Sequence, residues 1–262
     1  MRRSVILVVL GLLVVMAGGV WLYDWVLGDT EEPSGPISAV PLSFVTAIPA
    51  LTSVSSAETS NVTRTENPTL TPVAEAAQGF ALDFLLFKIV QAESEARFII
   101  SEVLNGQPKE VVGATDQMAG EVAVDPNDLS TAQVGIIQVN ARSLITDDVR
   151  RNQAIRNRIL YTDQYEFITF TPTEVKNLSG KAEQGAVYLF QIVGDLTIRD
   201  VSRTVVFEAT VVANSPERLT GFASTEINRT DFNLTIPSVP FVANVGEQVR
   251  LEIDFVLERF ER

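Results

Sequence analysis

The stretch QVRLEIDFVLE, residues 248–258, decides the fold class of this chain. Every second residue from Val249 to Leu257 is apolar, and the residues between them are mostly polar. A period of two, with one apolar and one polar face, is typical of an antiparallel strand whose inner face is buried. Several similar segments precede this one, and each of them predicts another strand.

Segments of this kind predict an all-β domain. They cover residues 84–90, 96–103, 117–124, 132–140, 167–175, 186–198, 204–213, 221–228 and 247–258. Residues 147–160 instead place apolar side chains near helical spacing beside four arginines, which predicts one short amphipathic helix. Open sheet edges invite aggregation, so such a sheet must stack on another or close on itself. We therefore expect a single antiparallel barrel of about eight strands with one short helix.

A barrel of this size is also a container, because its interior can hold one slender ligand. Ligand carriage is therefore the first hypothesis, and inward-facing residues of the alternating strands would line the binding tunnel. The predicted lining residues are Phe98, Ile100, Phe170, Leu189, Leu251, Ile253 and Phe255. The alternation is equally compatible with a barrel whose inward side chains simply fill the core.

The composition removes several classes of chemistry. The chain has 262 residues, no cysteine and no histidine, so it has no disulfide, no thiol nucleophile and no histidine base. No spacing of carboxylates marks an acid–base pair, so we expect no catalytic residue, no metal site and no enzyme activity. The net charge of −13 argues against nucleic-acid binding, because neutralising phosphates requires a basic patch.

The N-terminus predicts export. Residues 5–23 form an apolar run without charge, and Arg2 and Arg3 precede it. A transmembrane helix needs about 20 apolar residues, and the basic flank should stay in the cytoplasm. We expect a signal anchor at residues 1–27 of a single-pass membrane protein whose C-terminal domain lies outside the cytoplasm. The alternative is a signal peptide cleaved near residues 17–19, which would give a secreted protein.

The segment that follows the predicted anchor has a different composition. Residues 28–78 are rich in Ser, Thr, Pro, Ala and Glu, and their few large apolar residues show no sustained period. Such a segment buries too little surface to offset the entropy cost of ordering. We expect a flexible, disordered linker that separates the anchor from a barrel domain at residues 79–262.

Short blocks in a fixed order carry a family resemblance. They are TD at 146–147, YEFITF at 165–170, GDLTIRDVSR at 194–203 and INRTDF at 227–232. In order and spacing they resemble the YceI-like family of lipocalin-like, extracytoplasmic bacterial barrels that are associated with polyisoprenoid lipids. Gly113 and Gly120 keep the glycine spacing of that family's early hairpin. Glu166, Asp200 and Asn233 depart from the pattern, which puts the ligand in question more than the fold.

The resemblance implies a membrane-tethered lipid-binding protein. It makes a polyisoprenoid or quinone-like molecule the expected ligand, with no other cofactor. The expected partners are this lipid and the membrane, and a homodimer is compatible with the sequence. The alternative is a non-catalytic structural or interaction module of the cell envelope with a filled barrel.

Two further groups are candidates for ligand contact. Arg150 and Arg151 concentrate positive charge that a lipid headgroup could use, and a solvated helix face is the competing interpretation. The apolar loop of residues 234–242 predicts either a lid over the barrel mouth or packing on the outer wall. Its candidate lid residues are Ile236, Val239, Phe241 and Val242. The polar residues at 199–200 and 228–231 are expected to brace the barrel.

Overall fold

The computed structural model describes residues 31–42, 84–238 and 242–261, and the described chain is mainly antiparallel β-structure. Its strands are β1 (Leu85–Ile89), β2 (Glu95–Leu104), β3 (Gln107–Thr115), β4 (Met118–Ala119), β5 (Glu121–Val124), β6 (Gln133–Val134), β7 (Ile137–Asn140), β8 (Phe167–Lys176), β9 (Val187–Ile198), β10 (Val201–Ser215), β11 (Arg218–Asn228), β12 (Val242–Ala243) and β13 (Gln248–Phe260). Short 3₁₀ turns lie at Gln91–Glu93, Leu129–Thr131, Ala141–Ser143 and Arg229–Phe232.

The strands form one curled sheet. Strands β7 to β11 pair in chain order, and β11 pairs with β13. On its other side β13 pairs with both β1 and β2, which the turn at Gln91–Glu93 separates. Strand β1 pairs with β5, β2 pairs with β3, and β4 pairs with β7. The prediction of an all-β, antiparallel fold is confirmed. The sheet of the described chain has thirteen strands rather than about eight, and three of them, β4, β6 and β12, are only two residues long.

The predicted amphipathic helix is also confirmed, and it consists of an α-helical turn region followed by a π-helical turn. Helix α1 (Val149–Ala154) begins after Asp148, whose carboxylate accepts hydrogen bonds from the backbone N–H groups of Arg150 and Arg151. This contact satisfies amides that a helix start otherwise leaves free. The chain continues as a π-helical turn over Ile155–Leu160 and leaves it through Tyr161, which has a positive φ of 49°.

Strand β3 is the one long strand among the described residues that was not predicted. It pairs with β2 along its whole length, from Thr115 opposite Ala96 to Gln107 opposite Leu104. Asn105 and Gly106 connect the two strands with φ values of 50° and 79°. An Asn-Gly pair with two positive φ values is the strongest short-range hairpin signal. The signal was present, but Pro108 and the charged residues after it interrupt the apolar alternation.

Residues 31–42 lie extended along the barrel. The backbone N–H of Ser34 donates to Glu166 at 2.7 Å, and that of Leu42 donates to Glu121 at 3.0 Å. Between them the amide of Gln91 donates to the carbonyl of Ile37 at 2.6 Å. These residues fall inside the predicted linker, and this part of it is bound to the barrel domain. The linker boundaries stay a prediction.

The predicted N-terminal anchor, residues 1–27, lies outside the described residues. Within residues 31–42, 84–238 and 242–261, no helix has the length and apolar character needed to cross a membrane.

Candidate functional site

The interior of the barrel is divided into a packed half and an apolar cavity. The packed half is a cluster of buried side chains that includes Ile155 and Leu160 from the helical segment and Phe232 from the turn after β11. The cavity has a volume of about 140 Å³. It is lined by Ile89, Met118, Val122, Val124, Leu129, Ala132, Val134, Ile137, Phe170, Val175, Leu178, Ala182, Tyr188, Phe190, Ile192, Phe207, Val211, Ala213, Leu219, Ala223, Ile253, Phe255 and Leu257.

The cavity presents hydrocarbon to whatever enters it. Among the described residues that line the cavity, only Tyr188 has a side-chain oxygen or nitrogen, and its hydroxyl is hydrogen-bonded in the neighbouring loop. It donates to the carbonyl of Lys181 at 3.1 Å and accepts from the backbone N–H of Glu183 at 2.8 Å. A site with no free polar group binds through burial of apolar surface and selects against polar or charged ligands.

Strands β8 to β11 and β13 each contribute to both halves of the interior. In β9, Tyr188, Phe190 and Ile192 line the cavity, while Leu196 and Ile198 belong to the packed half. In β13 the order is reversed because the strand runs the other way. Ile253, Phe255 and Leu257 line the cavity, while Val249 and Leu251 pack in the other half. The two halves therefore lie at opposite ends of the barrel.

The fully buried residues shared by the cavity wall and the packed cluster are Ala223 and two phenylalanines, Phe170 and Phe207. Their ring centroids are 4.9 Å apart and their planes meet at 64°, which is an edge-to-face contact. Such pairs add about 0.5–1.5 kcal/mol beyond the area that they bury. Two aromatic rings in edge-to-face contact therefore lie where the cavity meets the packed half.

Glycines on the inner wall make room for aromatic rings. A Cβ atom added at Gly194 would lie 2.7 Å from the ring of Phe170, and one added at Gly221 would lie 2.4 Å from the ring of Phe255. No real Cβ approaches another atom so closely, so a larger residue would displace the ring. Glycine at these positions lets each ring lie directly against the neighbouring strand.

The structure brings together part of the predicted lining. Phe170, Ile253 and Phe255 line the cavity. Phe98, Ile100 and Leu251 also belong to the buried core, but they lie in the packed half. The predicted inward orientation of Leu189 is wrong, because its side chain is 70% exposed. Strand β9 is apolar on both faces in its first half, so the alternation alone did not determine which face is buried.

Most residues of the cavity wall were not predicted from the sequence. Phe190 and Ile192 have the same parity as Tyr188 in β9, and Phe207 and Val211 share one face of β10. Once one residue of a strand is known to face inward, the period of two identifies the rest. What could not be predicted was therefore which of the two alternating sets of residues in a strand faces the inside of the barrel.

The predicted headgroup contacts lie away from the cavity. The helical segment precedes β8 and packs into the packed half, whereas the cavity reaches Val175 near the end of β8 and Leu178 in the loop after it. Arg151 forms ion pairs with Asp147 and, at 2.8 Å, with the buried Glu102. Arg150 is exposed. The structure does not bring either arginine to the cavity.

The predicted lid also lies at the packed end. Leu234 is buried in the packed half and Ile236 packs against it. Val242 pairs with Leu104 at the end of β2. Val239 and Phe241 lie outside the described residues. The described part of this loop therefore covers the end of the barrel opposite the cavity.

The polar residues of the family blocks make bracing contacts, as expected. Arg229 donates from Nε to the carbonyl of Gly246 and from Nη1 to the carbonyl of Leu234, both at 3.0 Å. Arg199 donates to the carbonyl of Ile159 at 3.3 Å and lies 4.8 Å from the ring centre of Tyr161. These contacts fix the turns at the packed end.

Two loops, residues 125–132 and 177–186, lie at the cavity end of the barrel. Backbone hydrogen bonds join them, from Leu129 to Gly180 at 2.9 Å and from Ala182 to Pro126 at 2.8 Å. Gly180 and Gly185 have positive φ values of 91° and 78°, which glycine adopts without strain. The loop of residues 177–186 supplies two lining residues, Leu178 and Ala182.

A buried polar cluster lies on the barrel wall beside residues 31–34. Arg142 is 8% exposed; its Nε donates to the carbonyl of Thr162 at 2.9 Å, and its Nη1 lies 3.3 Å from a carboxylate oxygen of Glu166. Burial alone would raise the pKa of the Glu166 carboxyl. Hydrogen bonds from Ser34 and Asn140 and the charge of Arg142 outweigh burial, so the pKa lies below its usual value of 4.5.

This shift predicts a pH dependence of stability. A carboxyl whose pKa is lowered by folding stabilises the fold above its unfolded-state pKa, and that contribution is lost as pH falls through the folded-state pKa. Acidification from neutral pH to below pH 4.5 should therefore destabilise the unmodified chain more than the Glu166→Gln variant. Urea unfolding midpoints of both proteins at the two pH values measure this. Equal losses in both proteins would contradict the assignment.

The part of the chain that the structure describes contains no group of three or more His, Cys, Asp or Glu side chains placed to hold a metal ion.

Comparisons with known proteins agree on the fold. The YceI-like domain matches residues 87–257, more than half of the chain. A polyisoprenoid-binding domain from Saccharophagus degradans, implicated in plant cell wall breakdown, superposes with a TM-score of 0.53 at 15% identity and covers 67% of this chain and 99% of that domain. BcnA from Burkholderia cenocepacia superposes with a TM-score of 0.50 at 20% identity and covers 64% of this chain and 98% of its own. Comparison with curated protein sequences found no match.

Proposed function

This chain belongs to the YceI-like domain family, and from that premise we propose that it binds an apolar, isoprenoid-type lipid in the cavity of its barrel. The ligand would be a polyisoprenoid or a quinone-like molecule, carried or sequestered without chemical change. The observation that carries the proposal is the cavity itself, whose wall is hydrocarbon from 23 lining residues drawn from strands around the barrel.

The binding would rest on the hydrophobic effect. Burial of apolar surface contributes about 25 cal/mol per Å², or about 0.8 kcal/mol for each buried CH₂ group. Because the Tyr188 hydroxyl is already hydrogen-bonded, the wall offers no group that would fix a polar headgroup. The polar end of a lipid would therefore stay outside, at a mouth that we place at the loops of residues 125–132 and 177–186.

The relatives support the choice of ligand. The Saccharophagus degradans domain, which shares the fold, is described as polyisoprenoid-binding. An isoprenoid chain is apolar and slender, which suits a narrow cavity lined by aromatic and branched side chains. We extend this ligand class to the present chain on the combined support of family and cavity chemistry.

The proposal includes attachment to a membrane outside the cytoplasm. It rests on the apolar run at residues 5–23 and on Arg2 and Arg3 before it. An anchored carrier would exchange lipid with the membrane nearby. Residues 31–42, bound along the barrel wall, would then limit how far the domain moves from its anchor.

An interaction module is the second candidate function. One half of the barrel is packed, and Val187, Leu189 and Val206 are exposed apolar side chains on strands β9 and β10. Val187 and Leu189 lie two residues apart on the outer face of β9, and contiguous exposed apolar surface is a feature of protein-binding sites. In this alternative the cavity would be incidental.

The decisive experiment is chemical extraction of the purified full-length chain. Organic extracts of the chain and of an Ala223→Leu variant would be compared by mass spectrometry. Ala223 lines the cavity and is 5% exposed, so leucine there would occupy ligand space. We expect a stoichiometric isoprenoid or quinone lipid from the unmodified chain and a reduced amount from the variant, which would fold with equal or higher stability.

The variant separates cavity lipid from lipid that adheres to the anchor, because both proteins carry the same N-terminus. Equal lipid in the two extracts would assign it to the anchor. An empty extract, together with no uptake of added prenyl alcohols or quinones, would favour the interaction module.

A further inference from the structure

The cavity ends abruptly inside the barrel. Phe170, Phe207 and Ala223 lie at its inner end, and the two phenylalanines, which are its large side chains, are 7% and 4% exposed. Leu196 and Ile198, which follow along the same face of β9, are buried and belong to the packed half. A ligand that enters from the mouth would meet the two rings after passing Tyr188, Phe190 and Ile192.

The position of this end is built into the wall. Gly194 lies where a side chain would collide with Phe170, since its Cβ would be 2.7 Å from the ring and 2.5 Å from the carbonyl oxygen of Thr171. The ring of Phe170 therefore occupies the space over Gly194 and meets the ring of Phe207 edge-to-face. Each ring restricts the movement of the other, which makes the end of the cavity rigid.

We propose that the Phe170–Phe207 pair is the specificity-determining element of the site and sets how far an apolar chain enters the barrel. The inference rests on the proposed function and adds the ligand's length and orientation to it. A dry cavity of about 150 Å³ holds one benzene ring. The cavity of about 140 Å³ therefore accepts the apolar end of a chain, and the remainder of a longer lipid leaves through the mouth.

This arrangement predicts a plateau in affinity. Each methylene group that enters the cavity raises the affinity about fourfold, from about 0.8 kcal/mol of burial. Isoprene units in excess of the length that fits in front of the Phe170–Phe207 pair remain outside the barrel and add little to the affinity. Affinity measured against chain length should therefore rise and then level off.

The test uses prenyl alcohols of one, two, three and four isoprene units and the full-length chain in lipid nanodiscs. Isothermal titration calorimetry gives the affinity. The Ala223→Leu variant, whose cavity is filled by the leucine, gives the signal that comes only from partition of the alcohol into the nanodisc lipid. In Phe207→Leu the plateau should move to a longer alcohol, because space opens beyond the boundary. In Phe170→Trp it should move to a shorter alcohol, because a larger ring occupies the inner end.

Phe232→Leu is the matched control. Phe232 is 1% exposed in the packed half and does not line the cavity. Phe232→Leu therefore removes the same atoms as Phe207→Leu but leaves the inner end of the cavity unchanged. Its plateau should equal that of the unmodified chain. Circular dichroism establishes that each variant is folded. Phe207→Leu and Phe170→Trp, which should shift the plateau in opposite directions, give two independent measurements.

The outcomes separate this inference from the proposed function. Binding with the same plateau in all variants would overturn the role of the phenylalanine pair and leave lipid binding intact. Affinity that rises through all four alcohols in the unmodified chain would overturn it as well. No binding of any alcohol would overturn both proposals.

Discussion

The Phe190→Glu variant is expected to bind no apolar ligand, whereas Leu189→Glu is expected to bind like the unmodified chain. The two residues are neighbours in β9 and differ in the face that they occupy. Phe190 lines the cavity, and Leu189 is 70% exposed on the outside. The two variants therefore carry the same acidic side chain at adjacent positions on opposite sides of one wall.

The expected loss follows from the cost of placing a carboxylate against hydrocarbon. A charged group transferred into an apolar site without a partner costs far more than the burial of a short chain contributes. The carboxyl would either draw water into the cavity or take up a proton, since burial raises the pKa of an acid. In both cases a polar group would replace ligand-contacting surface. On the outer face the carboxylate stays hydrated and costs little.

Ligand uptake would be measured with the prenyl alcohols described above, and unfolding by urea would report the stability of each variant. A Phe190→Leu variant separates the loss of the ring from the introduction of charge, and it should retain binding. If Phe190→Glu is folded and binds as tightly as Leu189→Glu, the ligand does not occupy this cavity.

The sequence identified the strands better than it identified their inner faces. In residues 248–258 one face is apolar and the other mostly polar, so Ile253 and Phe255 could be placed inside. In β9 both faces are apolar, and the choice of Leu189 was wrong by one residue, which reverses the face of the whole strand. Whether a strand is apolar on one face or on both therefore determined where the prediction succeeded.

The division of the interior could not be predicted from local pattern. It depends on Phe170 lying over Gly194 and against Phe207, and these residues belong to three different strands. Phe98 and Leu251 have the correct periodicity and lie in the packed half. Periodicity indicates which face is buried, but it carries no information on depth along the barrel.

Contacts between segments that are distant in the chain could not be predicted from the sequence either. Ser34 and Glu166 are 132 residues apart, yet Ser34 donates two hydrogen bonds to one Glu166 oxygen. The composition of residues 28–78 predicted a flexible linker, and composition does not reveal that a short part of such a segment finds fixed partners. Arg142, which joins the same cluster, was not singled out because an isolated arginine has no distinctive pattern.

Replacing Arg142 by methionine is expected to lower the free energy of unfolding by about 3–5 kcal/mol, the usual cost of removing one partner of a buried ion pair. The side chain is 8% exposed and interacts with Glu166, Glu31 and the carbonyl oxygen of Thr162. Methionine preserves much of the apolar stem but none of the donors. Glu166 would then be left 15% exposed without its cation, and the carbonyl oxygen of Thr162 would lose its hydrogen bond.

Urea unfolding of the full-length chain measures this effect, and two further variants identify its cause. The double variant Arg142→Met/Glu166→Met should cost less than the sum of its two single variants, because it leaves no unpaired buried charge. Arg218→Met is the matched control at an exposed ion pair with Glu93 and Glu258, where the midpoint should move much less. Equal shifts for Arg142→Met and Arg218→Met would show that burial adds nothing to the Arg142 cluster. A large loss confined to Arg142→Met would instead show that the buried ion pair and hydrogen bond of Arg142 stabilise the folded domain.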